Sequence, residues 1–322
     1  MSANTVTLKD LARHLKLSRT TVSDALSGRG RVSEETVQRV REAAEELGYV
    51  VNRAARQLRT RGVGAIGYYV PAEARDLDFY MRFAFGVAGA AQRWGVDTVL
   101  MVGEESLHRG VHLGGVVAVD PRPEDHVVAG LVDASIPVVA VGEYVSRSGR
   151  RADVTFEARH EELERSLLDR LWRQGCRRFE MWGPMDCAAS SFAANARYNF
   201  ETWVAGHATQ GAEGRVRSLP LGAGGEHIHA AVRDAVRRGA DAVVCGLQGI
   251  APHAAASLDL LEDERARRVV VSSMASDVPL ARGPVIDLAP RKYGEEAAEL
   301  LWRVISGAEV EQHVWFEGAQ IV

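Results

Sequence analysis

Between Leu8 and Leu47 the apolar residues return every three or four positions, in three short runs. Leu8, Leu11, Ala12 and Leu15 form the first row. Val22, Ala25 and Leu26 form the second, and Val37, Val40, Ala44 and Leu47 the third. That period predicts three amphipathic helices. The punctuation agrees. Thr7 with Asp10 three residues on fits a capping box, with a shorter acid than usual. Lys16-Leu17 reads as a turn, and Ser18 and Ser33 as N-caps. Gly28 and Gly30 end the second helix in a loop, and Gly48 ends the third, where Tyr49 packs back. Two helices joined by a tight turn, then a third, make a helix-turn-helix unit, whose second helix lies in the DNA major groove.

Beyond residue 62 the pattern changes to short apolar runs alternating with helical stretches. The runs Val63–Val70, Thr98–Val102, Gly115–Val119, Val138–Val141, Arg178–Trp182, Ala242–Cys245, Val269–Val271 and Val285–Asp287 predict strands. Tyr80–Trp94, Glu161–Gln174, Ala193–Ala205, His227–Arg238 and Gly294–Ser306 predict helices. Such alternation implies parallel sheets with helices on both faces.

Charge sharpens the division. The chain has 322 residues and a net charge of -4. Residues 1–62 hold twelve basic and seven acidic side chains, so this head carries +5 and the rest −9. A basic head on an acidic body fits a polyanion-binding module joined to a part that does not touch the polyanion. No stretch approaches the ~20 apolar residues of a membrane span, and the N-terminus lacks a signal peptide's apolar run. Cys176, Cys187 and Cys245 are isolated, which predicts buried thiols in a reducing cytoplasm, without disulfides, metal or cofactor.

The segment from about Val6 to Leu58 resembles the DNA-binding head of the lactose-repressor (LacI/GalR) family of transcriptional regulators. The resemblance rests on Thr-Leu-x-Asp-x-Ala from Thr7, Thr-Val-Ser from Thr21, Val-Ser-x-x-Thr from Val32, Leu-Gly-Tyr from Leu47 and Asn-x-x-Ala-x-x-Leu from Asn52. It implies a helix-turn-helix domain over 1–51, a hinge helix or linker over 52–62, and a two-lobed body of the periplasmic-binding-protein-like α/β fold over 63–322. It also implies that Arg19, Thr20 and Asp24 sit where the family reads base edges, with Ser18, Thr21, Ser23 and Arg31 mainly where it grips phosphates or their neighbourhood, and Thr7 and Leu8 as further DNA contacts. Arginine can bond guanine O6 and N7 together, and threonine can meet a thymine methyl. Asp24 has two readings, acceptance from cytosine N4 or pairing with Arg29 or Arg31. Asn52, Ala55 and Leu58 fall on the family's hinge helix, with Leu58 at the position that wedges between base pairs and kinks the duplex. The alternative is a basic linker with Leu58 against the body.

The body offers no credible catalytic set, so an enzyme is not expected. Gly62, Gly64 and Gly67 match Gly-x-Gly-x-x-Gly, but they precede a strand, where a dinucleotide loop follows one. His227 and His229 are two apart and point to different helix faces. Where relatives clamp a sugar with arginine, this chain has Asn199, and Leu247-Gln248 and Ser272-Ser273-Met274-Ala275 replace other polar positions. Unpaired hydroxyls in a buried site cost about 1–3 kcal/mol each, so a typical sugar effector is not expected. Phe79, Tyr80, Glu143, Asn199 and Gln248 are candidate contacts for another small molecule; Phe79 and Tyr80 either stack a ligand or fill core. The span between Val102 and Gly115 is short for a further helix. The expectation is a cytoplasmic homodimeric regulator, a repressor on a pseudo-palindromic operator. No leucine-heptad tail follows Trp315-Phe316, which favours a dimer over a tetramer. The alternative is an effector-independent DNA-binding protein whose body only dimerises.

Overall fold

In the computed structural model the described residues are 6–27, 32–47, 63–72, 77–103, 112–183, 191–220, 222–278, 280 and 282–322. Arg31, Asn52, Ala55, Leu58 and Cys187 lie outside them. The chain divides into two compact units, Met1–Gly64 and Ala65–Val322.

The first unit holds helices α1 (Leu8–Leu15), α2 (Arg19–Ser27) and α3 (Glu34–Glu46). Its core is the set that the helical period picks out, with one addition: Leu11, Ala12, Val22, Ala25 and Val40 are buried, as is Ala43, which the period did not pick, and Leu8, Leu15, Leu26, Val37, Ala44 and Leu47 pack around them. The caps are local. Asp10 N donates to Thr7 Oγ1 at 3.3 Å while Thr7 N donates to Asp10 Oδ2 at 3.1 Å. Lys16 takes a left-handed conformation, φ 53°, at the end of α1 and turns the chain into α2. Thr21 N donates to Ser18 Oγ at 2.9 Å, and Thr36 N to Ser33 Oγ at 3.4 Å.

The second unit is built on two parallel sheets. The larger orders β11 (His313–Phe316), β5 (Val154–Ala158), β4 (Val138–Val141), β3 (Leu113–Val119), β1 (Ala65–Val70) and β2 (Asp97–Val102). The smaller orders β7 (Glu213–Ser218), β6 (Arg178–Gly183), β8 (Ala242–Cys245) and β9 (Val270–Ser273). Helices α4 (Asp78–Trp94), α5 (His126–Asp133), α6 (His160–Arg173), α7 (Ser191–His207), α8 (Gly225–Arg238), α9 (Ile250–Asp259) and α10 (Pro290–Ile305) connect the strands. A short antiparallel pair, β10 (Ile286–Asp287) with β12 (Gln320–Ile321), lies on the segments that run between the two sheets.

Several elements exceed the sequence pattern. β7 carries two arginines on an exposed sheet edge, and β5 and β11 are short, so none shows a clear period. α5, His-Val-Val-Ala-Gly-Leu-Val-Asp, is apolar enough to read as a strand, but Asp125 caps it by accepting from Val127 N and Val128 N. Pro252 stands in the first turn of α9, where no intrahelical N–H is lost.

Two glycines set the packing of the larger lobe. A Cβ on Gly86 of α4 would stand 2.0 Å from the Arg291 carbonyl oxygen, and one on Gly294 of α10 would stand 2.1 Å from that of Phe83. The two helices therefore cross backbone against backbone. Trp94 and Trp302 stack near their far ends, with centroids 4.8 Å apart. Gly67, the last of the apparent dinucleotide motif, sits inside β1, where a Cβ would meet Met101 and Val116 at 2.8 and 2.9 Å. Its role is close packing within the sheet.

Candidate nucleic-acid interface and interlobe cleft

In the head, α2 buries Val22 and Ala25 and turns a polar row outward. Ser18, Arg19 and Thr20 are exposed, and Thr21, Ser23 and Asp24 half-buried. Thr7 is exposed and Leu8 half-buried at the start of α1. Ser18 and Thr21 also share a hydroxyl–hydroxyl bond of 2.8 Å. Ser18 therefore has a structural duty at the α2 N-terminus, which still leaves it beside the N–H groups that attract anions. The arrangement is a helix fixed by its caps and core, with a guanidinium and several hydroxyls standing in solvent. Such groups can donate to phosphates and base edges.

In the body, the candidate contacts are mostly engaged with each other. The Tyr80 ring is buried and its hydroxyl donates to Asp120 Oδ2, which agrees with the core-filling alternative. The Tyr68 hydroxyl donates to the Tyr80 carbonyl oxygen at 2.8 Å. Phe79 is half-buried and packs edge-on against Tyr80, with centroids 5.3 Å apart. Asp120 follows β3 with a left-handed φ of 47°, and burial raises its carboxyl above the ordinary aspartate range. Burial, then the nearby Asp120, also raises the Tyr80 phenol.

Asn199 lies on α7 and does not stand open. Its amide donates to Glu164 Oε2 at 2.7 Å. Glu164 is 1% exposed, its other oxygen has no partner among the described residues, and burial pushes its carboxyl up to about 7. One turn earlier on α6, burial lowers His160 to about 4. Glu143, after β4, is exposed. Gln248 follows β8, and its Oε1 accepts from Phe79 N at 2.7 Å. This bond joins the two lobes and sets the C-terminal edges of their sheets against each other. Among the described residues no group of three or more His, Cys, Asp or Glu is placed to hold a metal.

Sequence reasoning missed Asp120 and Glu164. Glu164 had a signal: it occupies the apolar stripe of α6 beside Leu167, Leu168 and Leu171, where a carboxylate must be buried. Asp120 had only its place at the end of an apolar strand.

Comparison with known proteins places this geometry. Residues 7–52 match the family model described as bacterial regulatory proteins, lacI family. The maltose regulon regulatory protein MalI of Escherichia coli is 32% identical over 56% of this chain and 55% of its own length. The regulator CelR of Thermobifida fusca is 32% identical over 42% of this chain and 43% of its own. The chain thus spans about half the length of the curated relatives it matches. The solved lac repressor dimer bound to operator and an anti-inducer shares the fold, with a TM-score of 0.68 at 18% identity over 99% of this chain and 98% of that one. A CelR–cellobiose complex does so with a TM-score of 0.63 at 22% identity over 98% of each chain. Among the described residues no helix is long and apolar enough to cross a membrane. A capped three-helix head that matches the lacI family model is joined in this chain to a two-sheet parallel body that shares the fold of the solved lac repressor.

Proposed function

We propose that the chain is a sequence-specific DNA-binding transcriptional regulator of the repressor type, acting as a homodimer on a pseudo-palindromic duplex. The observation that carries the proposal is the solvent-facing row Ser18, Arg19, Thr20 on a helix whose opposite face is locked into the head's core. The positive charge of residues 1–62 supports it, since phosphate neutralisation supplies much of the affinity for DNA. Arg31, Asn52, Ala55 and Leu58 complete the proposed contact set.

The body supports pairing with a second copy. α4 exposes Met81 and Phe85, the latter 62% exposed, and Leu100 stands 46% exposed on the neighbouring edge strand β2. A groove of about 840 Å³ beside Phe85 has a mixed lining that includes Arg82, Ala88, Val96, Asp97 and Arg291. Large apolar groups gathered on one surface mark an interaction site, and the fold neighbour named as a dimer on its operator supports a second copy as occupant. Phe85→Glu should halve the mass seen by sedimentation and cut affinity for DNA. An unchanged mass would move the interface elsewhere.

The proposal as a whole is tested by selection from a random duplex pool. The expected result is an enriched motif with twofold symmetry. Recovery of no motif above bulk competitor at moderate salt would overturn it.

A second reading concerns the cleft. The CelR neighbour holds cellobiose, which supports small-molecule control here as well. With Asn199 committed to Glu164, the reading favours an effector other than a typical sugar. Thermal-shift screening with sugars and non-sugars separates this from an effector-independent regulator, because only a real effector stabilises the fold and alters DNA affinity together.

A further inference from the structure

We propose that Gln248 is a latch that holds the two lobes of the body together, by capping helix α4 across the cleft. The N-terminus of a helix leaves backbone N–H groups without intrahelical partners. At α4 the N-cap residue is Leu77, which has no side-chain acceptor. Among the described residues the acid in the first turn, Asp78, directs its carboxylate to Arg82 at 2.6 Å. The acceptor comes instead from the other lobe: Phe79 N donates to Gln248 Oε1 at 2.7 Å, between residues 169 apart in sequence. Because the donor is an N–H, the oxygen of the carboxamide must be the atom that faces α4.

Both ends of the bond are anchored. On the smaller lobe, Gly249 N donates to Asp277 Oδ1 at 2.7 Å, and the Ser273 hydroxyl donates to Asp277 Oδ2 at 2.8 Å. Asp277 is 7% exposed, so the loop after β8 is tied to the loop after β9 through a buried carboxylate. On the larger lobe, α4 is pinned to α10 where Gly86 and Gly294 bring the two backbones together. A bond between two rigid mounts transmits closure, where a bond between two loose loops would not. A group entering the cleft that supplied its own acceptor to Phe79 N would release Gln248. The inference rests on the two-lobed body and not on the DNA reading, so its test uses protein free of DNA.

The test is single-molecule energy transfer on the full chain, with dyes at Glu124 and Glu226, exposed residues on opposite lobes beyond the C-terminal ends of their strands. Gln248→Met keeps the length of the side chain and removes the acceptor. It should lower the closed-to-open ratio roughly three- to tenfold, the factor carried by one hydrogen bond. Leu77→Asp leaves Gln248 intact but gives α4 its own N-cap acceptor. It should lower the ratio in the same direction while raising the melting temperature of α4. Because the two variants act from opposite lobes, misfolding of one leaves the other to decide. An unchanged ratio in both would overturn the latch. A fall in Gln248→Met without one in Leu77→Asp would also overturn it, by showing that Gln248 acts through something other than the α4 N-terminus.

Discussion

The head and the cleft both gather polar side chains, and they use them in opposite ways. In the head, short-range caps join Thr7 with Asp10 and Ser18 with Thr21, and Arg19 and Thr20 are exposed. In the body the polar residues bond across long stretches of chain: Tyr80 to Asp120, Asn199 to Glu164, Gln248 to Phe79 N. A surface that reads a partner must present donors that water alone satisfies. A surface whose donors are already matched is building structure. By this contrast the head is made to recognise, while the body is made to hold two lobes in register.

The contrast can be strained first at Glu164. Its carboxyl is pushed up to about 7 from an unfolded value near 4.5. The folded state therefore holds a proton that the unfolded state has lost between those values, and stability falls as pH rises through that window. Glu164→Gln removes the cost while keeping an oxygen for Asn199. At pH 8 the variant should be more stable than the parent by up to about 3 kcal/mol, with the gain shrinking to nothing below about pH 4.5. His160, held neutral by burial, acts the other way and destabilises as pH falls from about 6.5 toward 4. The difference between parent and Gln variant, measured by urea denaturation across pH, isolates the carboxyl.

The next effect belongs to the head. Arg19→Ala should relax base preference at one position of each half-site by about 1–3 kcal/mol and leave the melting temperature unchanged, because the side chain is exposed. An equal loss on every sequence would make Arg19 a phosphate contact. The smallest effect is at Thr7. Thr7→Ala removes one half of the capping box and should cost the head about 1 kcal/mol, read by amide exchange in α1, with the body untouched.

The head was legible because its signals are local. Caps, turn and apolar rows lie within four residues of each other, so Thr7, Ser18 and Val22 could be placed from spacing alone. The alternation of the body was equally plain, and Val138–Val141 and Ala242–Cys245 form strands with the bounds the pattern implies. The cleft was not legible, because its bonds join residues far apart in sequence. Nothing in the neighbourhood of Asn199 tells that a buried glutamate on α6 will take its amide. Tyr80 and Phe79 carried two readings for the same reason: an aromatic at the start of a helix looks alike whether it meets a ligand or a carboxylate from another strand.

The claim that the head reads a symmetric site through paired copies is met most directly by hydroxyl-radical footprinting of the full chain on its selected duplex. The account predicts two protected half-sites about one helical turn apart, centre to centre, related by a dyad and lost together in Phe85→Glu. A single protected patch, unaffected by that substitution, would contradict it.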